Sequence, residues 1–219
     1  LINPKNVPSA PNTDEKGEKV KISLPVSGWL LLVLFLGAII MSQSLFNLGG
    51  ATIGAVVDNP AVIGTIFSLF SVGAYGATLL FPLGYRFVKA YAIPMLWVIG
   101  IAGYVCWLVA HITGNVVLFY VAIILAGVGA NALTIGVPMV LSTLVAPAVV
   151  SAIMGFSYVF MNGGGFLASP IDMAIAQIAG ADTIMTPVWV FDIALGVIIL
   201  VGLFLVAKKV NALKSASDA

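Results

Sequence analysis

Six apolar runs, each long enough to cross a lipid bilayer as an α-helix, constrain this chain more than any other feature. A crossing helix needs roughly 20 predominantly apolar residues. The runs cover residues 25–48, 60–82, 90–110, 116–142, 149–171 and 187–207. Charged residues make up only 8% of the chain, against roughly 25% in soluble domains. The sequence therefore predicts an all-α, polytopic membrane protein with six transmembrane helices.

Polar segments flank these runs and divide the chain into three parts. Residues 1–24, which hold three prolines and a run of mixed charge, are predicted to form a cytoplasmic linker or tail. Residues 25–207 are predicted to form the six-helix transmembrane bundle, and residues 208–219 a cytoplasmic C-terminal tail. Because the chain begins at Leu1 rather than at methionine, we expect a further segment upstream.

Every lysine and arginine falls on one side of a six-span topology. Four lysines precede the first run, Arg86 and Lys89 lie between the second and third, and three lysines follow the sixth. Since cytoplasmic segments of membrane proteins are enriched in Lys and Arg, that side is predicted to be cytoplasmic, together with both termini. We expect the membrane to be the bacterial inner (plasma) membrane.

Polar and small residues recur at helical spacing in the first, second, fourth and fifth runs. The third and sixth runs are plainer and are predicted to be lipid-facing supports. A carboxamide at membrane depth is unfavourable unless it is hydrogen-bonded or faces water. Two explanations therefore stay open for such groups, the lining of a cavity and hydrogen bonding between helices. The groups concerned are Gln43, Asn47, Asn131 and Asn162.

Glycine and proline residues inside two of the runs, and directly after the first, predict weakened or kinked helices. Interrupted helices near the membrane midplane are a recurring feature of transporters, and close helix packing is the alternative explanation. The residues concerned are Gly49, Gly50, Pro138, Gly163, Gly164 and Gly165.

Two carboxylates stand near the outer ends of the fifth and sixth runs. Asp172 directly follows the fifth run, and Asp192 is predicted to lie about one turn inside the sixth. They are candidates for an outer gate or for coupling to a proton or ion, with a solvated or capping role as the alternative. His111 is predicted to be a solvated residue at the same boundary.

The arrangement of these runs resembles the C-terminal half of a major facilitator superfamily transporter. Residues 64–82 resemble the eighth helix of that family, residues 126–131 (AGVGAN) its tenth and residues 158–170 (YVFMNGGGFLASP) its eleventh. The basic cytoplasmic loop between the second and third helices of this half would be represented by Gly84, Arg86 and Lys89.

This resemblance implies a function and a partner. The chain would be one bundle of a two-bundle transporter that moves a small solute by secondary active, alternating access. The N-terminal six-helix half, in the same polypeptide or as a separate chain, would be its partner. A neutral polar or amphipathic solute would bind between the halves, with no cofactor. The lining residues would be Gln43, Asn47, Tyr75, Asn131, Tyr158 and Asn162.

Other functions are weighed on the same residues. A self-contained homodimeric transporter or a membrane subunit of a larger complex is the alternative, and an aquaporin-like channel is a weaker one. The channel rests on a single tripeptide, Asn59-Pro60-Ala61, without a second copy. Catalysis is not expected, since the sequence shows no paired acids, nucleophile–base motif or metal-ligand spacing. A near-zero net charge gives no indication of nucleic acid binding.

Overall fold

The computed structural model describes residues 23–180 and 185–217, and throughout these residues the regular elements are helices. The predicted N-terminal tail therefore lies almost entirely outside the described residues. Seven α-helices are present in the described part of the chain, and short 3₁₀ turns precede α4 and α6. The helices are α1 (Val26–Gly54), α2 (Pro60–Ser68), α3 (Phe70–Val88), α4 (Ala92–Thr113), α5 (Val116–Ser142), α6 (Val150–Ala179) and α7 (Met185–Ser217).

Helical segments long and apolar enough to span a membrane confirm the predicted class. There are five among the described residues: Val26–Gly54, Pro60–Thr113, Val116–Ser142, Pro147–Ala179 and Met185–Leu213. The protein is thus an all-α, multi-pass integral membrane protein. The second segment is 54 residues long and contains α2, α3 and α4. A count of six crossings stays a prediction.

The chain breaks between α3 and α4 at Lys89. This residue has φ 52° and ψ −132°, and it opens the 3₁₀ turn Lys89–Tyr91. The backbone N–H of Ala90, in that turn, donates to Asn211 Oδ1 of α7 at 3.2 Å. The break is therefore tied to the end of the bundle where α7 carries its lysines.

Helix α3 runs parallel to α5. Gly73, near the start of α3, lies against the backbone of Ile124, and Phe81, further along α3, lies against Gly136. The residue numbers of α3 and of α5 increase in the same direction along the contact, so the two helices are parallel.

Helix α4 runs antiparallel to α5. Ile93, at the start of α4, packs on Gly136, whereas Gly103, further along, lies against the backbone of Ala126. Since α3 and α4 run along α5 in opposite directions, they are antiparallel to each other within the 54-residue segment.

Helix α1 is parallel to α6 and antiparallel to α7, just as α5 is parallel to α3 and antiparallel to α4. Trp29 and Ser44 of α1 meet Phe156 and Asp172 of α6, so these two helices are parallel. Helix α7 is antiparallel to α1, because Gly196 of α7 lies against Met41 and Gly202 lies against Leu34.

In chain order the long helices fall into two three-helix units, one made of α1, α3 and α4 and the other of α5, α6 and α7. In each unit the first helix packs along the second and third helices of the other unit. It is parallel to the second helix and antiparallel to the third. The third helices of the two units, α4 and α7, also pack against each other.

Two features of the helices correct the sequence analysis. Helix α1 continues through Gly49 and Gly50 to Gly54. Gly49 lies against the rings of Phe67 and Trp107, which a larger residue there would displace. Helix α6 is likewise continuous across residues 163–165 and extends to Ala179. Close packing accounts for Gly49 and for Gly164, which lies against Ile39.

Helices α4 and α7 are not simple lipid-facing supports. Helix α4 buries Trp97, Tyr104 and Trp107 on one side, and α7 buries Trp189. The indole N–H of Trp97 donates to the backbone oxygen of Gly196 at 3.0 Å. Each helix therefore contributes a packed face, and its other face is apolar and exposed.

Candidate functional site

The six candidate lining residues differ in exposure. Tyr75 is 73% exposed and Tyr158 is 61% exposed, and Asn47 and Asn162 are also exposed. Gln43 and Asn131 are half-buried. Four of the six are therefore at the surface of the bundle, although a bilayer core offers them no hydrogen-bonding partner.

Asn131 is held by hydrogen bonds between helices. Its amide nitrogen donates to the backbone oxygen of Ala74 at 2.6 Å and to Thr78 Oγ1 at 3.0 Å, both on α3. The structure thus favours, for this residue, the interhelical explanation that the sequence left open.

Asn162 makes a different contact. Its amide nitrogen donates to the backbone oxygen of Tyr158, one turn earlier on the same helix, at 2.8 Å. This bond ties the side chain to α6 and to no other helix. The exposed amide therefore remains a candidate for contact with a solute.

The structure brings some of the predicted residues together. Gln43 packs beside Gly165, with its Cγ 3.6 Å from the position that a Cβ would occupy there. Pro138 and Tyr158 line one small cavity between α1, α5 and α6, of about 40 Å³. Phe35 of α1 also lines it. Within the described residues, no hydrogen bond or ring contact joins Tyr75 to the other candidate lining residues.

The predicted cytoplasmic loop is mostly helix. Helix α3 extends to Val88, so Gly84 and Arg86 lie in its last turns, and only Lys89 lies at the break. Arg86 and Lys89 are exposed. This corrects the boundary predicted at residue 82, since Pro82 is accommodated inside α3.

The tripeptide Asn59-Pro60-Ala61 has a structural explanation. Asn59 caps α2, its Oδ1 accepting the N–H of Ala61 at 3.0 Å, and Pro60 is the first helical residue. All three residues are exposed. Asparagine caps and first-turn prolines are common at helix starts, so the tripeptide needs no pore to account for it.

Asp172 and Asp192 are not at a solvated boundary. Asp172 is 2% exposed and Asp192 is 0% exposed. Each lies about two turns from the end of its helix. Asp172 bonds to Ser44 of α1, and Asp192 faces Tyr104 of α4. The solvated or capping role that the sequence allowed is therefore wrong.

These carboxyls belong to a buried set that we call the acidic cluster: Ser42, Ser44, Tyr104, Asp172 and Asp192. Asp172 Oδ1 accepts the hydroxyl of Ser44 at 2.7 Å, and its other oxygen has no partner. Neither oxygen of Asp192 is hydrogen-bonded. Tyr104 interacts with both Ser42 and Asp192, and the two carboxyls lie within electrostatic reach of each other.

Sequence reasoning did not identify three members of the cluster. Tyr104 lies in the third run, one of the two plainer ones, and Ser42 and Ser44 flank the candidate lining residue Gln43. A usable signal was the spacing of Tyr104, Trp107 and His111, which places three polar groups on one face of a helix.

Comparison with models of known protein families and with curated proteins gives no match to this chain.

Proposed function

We propose that this chain is one six-helix bundle of a two-bundle secondary transporter of the major facilitator type. The observation that carries the proposal is the pair of oppositely directed three-helix units, each packing its first helix along the last two helices of the other. Nested, inverted three-helix repeats of this kind build each half of such transporters. In this proposal α3 and α4 each cross the membrane, which gives six crossings.

The solute would bind at the part of the bundle surface where polar side chains are exposed. Tyr75, Tyr158, Asn47 and Asn162 offer hydroxyl and amide groups at positions where lipid contact would leave them unsatisfied. The acidic residues within the described membrane-spanning helices, Asp172 and Asp192, are buried away from that surface. A neutral polar or amphipathic solute fits these groups best.

The partner would be a second six-helix bundle, and the two bundles would rock about the solute to expose it to each side in turn. Apolar side chains elsewhere would face lipid. We place the exposed Arg86, Lys89, Lys208 and Lys209 in the cytoplasm, by the preference of basic residues for that side, and the protein in a bacterial inner membrane. No catalytic role is included in this proposal.

Single cysteines test whether the polar positions face water. The chain's one cysteine, Cys106, would first be replaced by serine. Cysteines at Tyr158 and Asn162 should then react with a membrane-impermeant maleimide in the protein's own membrane, and a transported solute should protect them.

The matched control is Val201 on α7, which is 56% exposed and should face lipid. Its cysteine should stay unlabelled under the same conditions. If cysteines at Tyr158 and Asn162 are as unreactive as the one at Val201, those positions face lipid and the proposed cavity is absent.

A further inference from the structure

The acidic cluster contains a negative group without a countercharge. Asp192 is fully buried and both its oxygens lack hydrogen-bond partners. The basic side chains that the structure describes, on Arg86, Lys89, Lys208 and Lys209, are exposed and lie toward the far end of α3 and α7. An ionised, unpaired carboxylate at membrane depth is strongly disfavoured, so Asp192 needs a bound cation.

The groups facing Asp192 come from each helix packed around it. Helix α4 contributes Tyr104 and α6 contributes Asp172. Helix α1 contributes the hydroxyl of Ser44, which bonds to Asp172, and the hydroxyl of Ser42, which lies beside Tyr104 and donates to the backbone oxygen of Ala38. Asp172 and Tyr104 are thus the titratable groups facing Asp192, and neither supplies a positive charge.

These surroundings suit a proton better than a metal ion. Sodium sites in transporters draw several ligands from backbone carbonyls of unwound helices. Around the acidic cluster α1, α4, α6 and α7 are continuous, so their carbonyls are engaged in helical hydrogen bonds. A proton requires one carboxylate oxygen, with which it forms an O–H group.

Further buried polar atoms lead from Asp192 toward the end of the bundle where α4 terminates. The indole nitrogens of Trp189 and Trp107 and Nδ1 of His111 are buried without hydrogen-bond partners. The rings of Trp107 and Trp189 are 5.9 Å apart, and His111 follows Trp107 by one turn on α4. Buried polar atoms of this kind are usually satisfied by ordered water.

We propose that Asp192, together with Asp172, is a proton-binding site, and that protons reach it along the seam between α4 and α7, past Trp107, Trp189 and His111. This site exists whether or not the chain transports a solute. A role of this site in coupling proton movement to solute movement rests on the proposed transport function. Asp172 bonds to Ser44, which is next to the candidate lining residue Gln43 on α1. Binding of a proton to Asp172 would therefore alter a contact beside the proposed solute site.

Infrared spectroscopy of the full chain in lipid nanodiscs tests the site without a transport assay. At neutral pH the protein should show the carbonyl band of a buried protonated carboxyl group, which should decrease as pH is raised. Asp192→Asn should remove most of this band. Asp58→Asn, which changes an exposed loop carboxylate, is the matched control and should leave the band unchanged.

Two further variants keep the test decisive. If Asp192→Asn does not fold, Asp192→Glu, which retains the carboxyl group, should shift the band. His111→Phe should slow hydrogen–deuterium exchange at the carboxyl severalfold, because it interrupts the path.

A band that is unaffected by both Asp192 variants overturns the site. A band that appears only when sodium is removed, at constant pH, would show that the site binds a sodium ion and would overturn the proposal of a proton site. Exchange that is unchanged in His111→Phe overturns the path. Because none of these measurements involves solute, failure here is distinguishable from failure of the proposed transport function.

Discussion

Two asparagines with similar sequence surroundings occupy different positions in the structure. Asn131 and Asn162 each stand in an apolar helix, in line with small and polar residues at helical spacing. The partners of Asn131 are on α3 and are distant in sequence, so no local pattern could distinguish it from Asn162. Individual polar residues therefore could be found from the sequence, but their roles could not.

Replacing Asn131 with alanine removes both of its bonds to α3. We expect a loss of about 1 kcal/mol in unfolding free energy, in the range measured for hydrogen bonds between membrane helices. Thermal or detergent-induced unfolding in the purified state would measure this. Asn162→Ala is the control and should unfold like the unmodified protein; equal stability of all three proteins would contradict the assigned role of Asn131.

Solute transport should be reduced by the replacement of Asn162, which leaves the stability of the protein unchanged. Asn162→Ala removes an exposed amide from the proposed solute cavity, so we expect reduced solute uptake into proteoliposomes with normal membrane insertion. Uptake that is unchanged in this variant would remove Asn162 from the binding site.

Lys89 has a backbone conformation that usually belongs to glycine. Lys89→Gly should relieve this strain and raise the unfolding free energy by about 1 kcal/mol. Arg86→Gly is the comparison, because it places glycine inside α3 and should lower stability by about 1 kcal/mol. A destabilised Lys89→Gly variant would show that the backbone of Lys89 is not strained at the break between α3 and α4.

Pairs of helices approach closely where glycines face each other or a backbone. Gly73 of α3 faces the backbone of Ile124, and the Cβ of any larger residue would collide there. The hydropathy of the sequence predicts that these helices exist, since isolated irregular backbone cannot face lipid. It could not predict that α1 passes through Gly49, because the rings that pack there come from α2 and α4.

Gly73→Ala and Gly76→Ala form a matched pair on α3. Gly73→Ala forces α3 away from α5 and should destabilise the protein by about 1–3 kcal/mol. A Cβ at Gly76 meets nothing within 4 Å, so that variant should be neutral or slightly stabilised through its higher helix propensity. Equal unfolding midpoints for the two variants would contradict the α3–α5 packing.

At the scale of the whole molecule, composition was enough to predict the membrane class. The swapped packing of two three-helix units was not accessible from composition, since it depends on contacts such as Ser44 with Asp172 that join distant segments. The burial of Asp192 has the same origin. Its neighbours come from α1, α4 and α6, and only the assembled bundle separates it from solvent.

The central claim is that this bundle works together with a second one. Native mass spectrometry of the protein extracted from its own membrane, combined with sequencing of every polypeptide present, tests it most directly. We expect one further six-helix bundle for each copy of this sequence, in the same polypeptide or in a separate chain at a one-to-one ratio. A species that contains only copies of a single six-helix bundle, as monomer or homodimer, would contradict it.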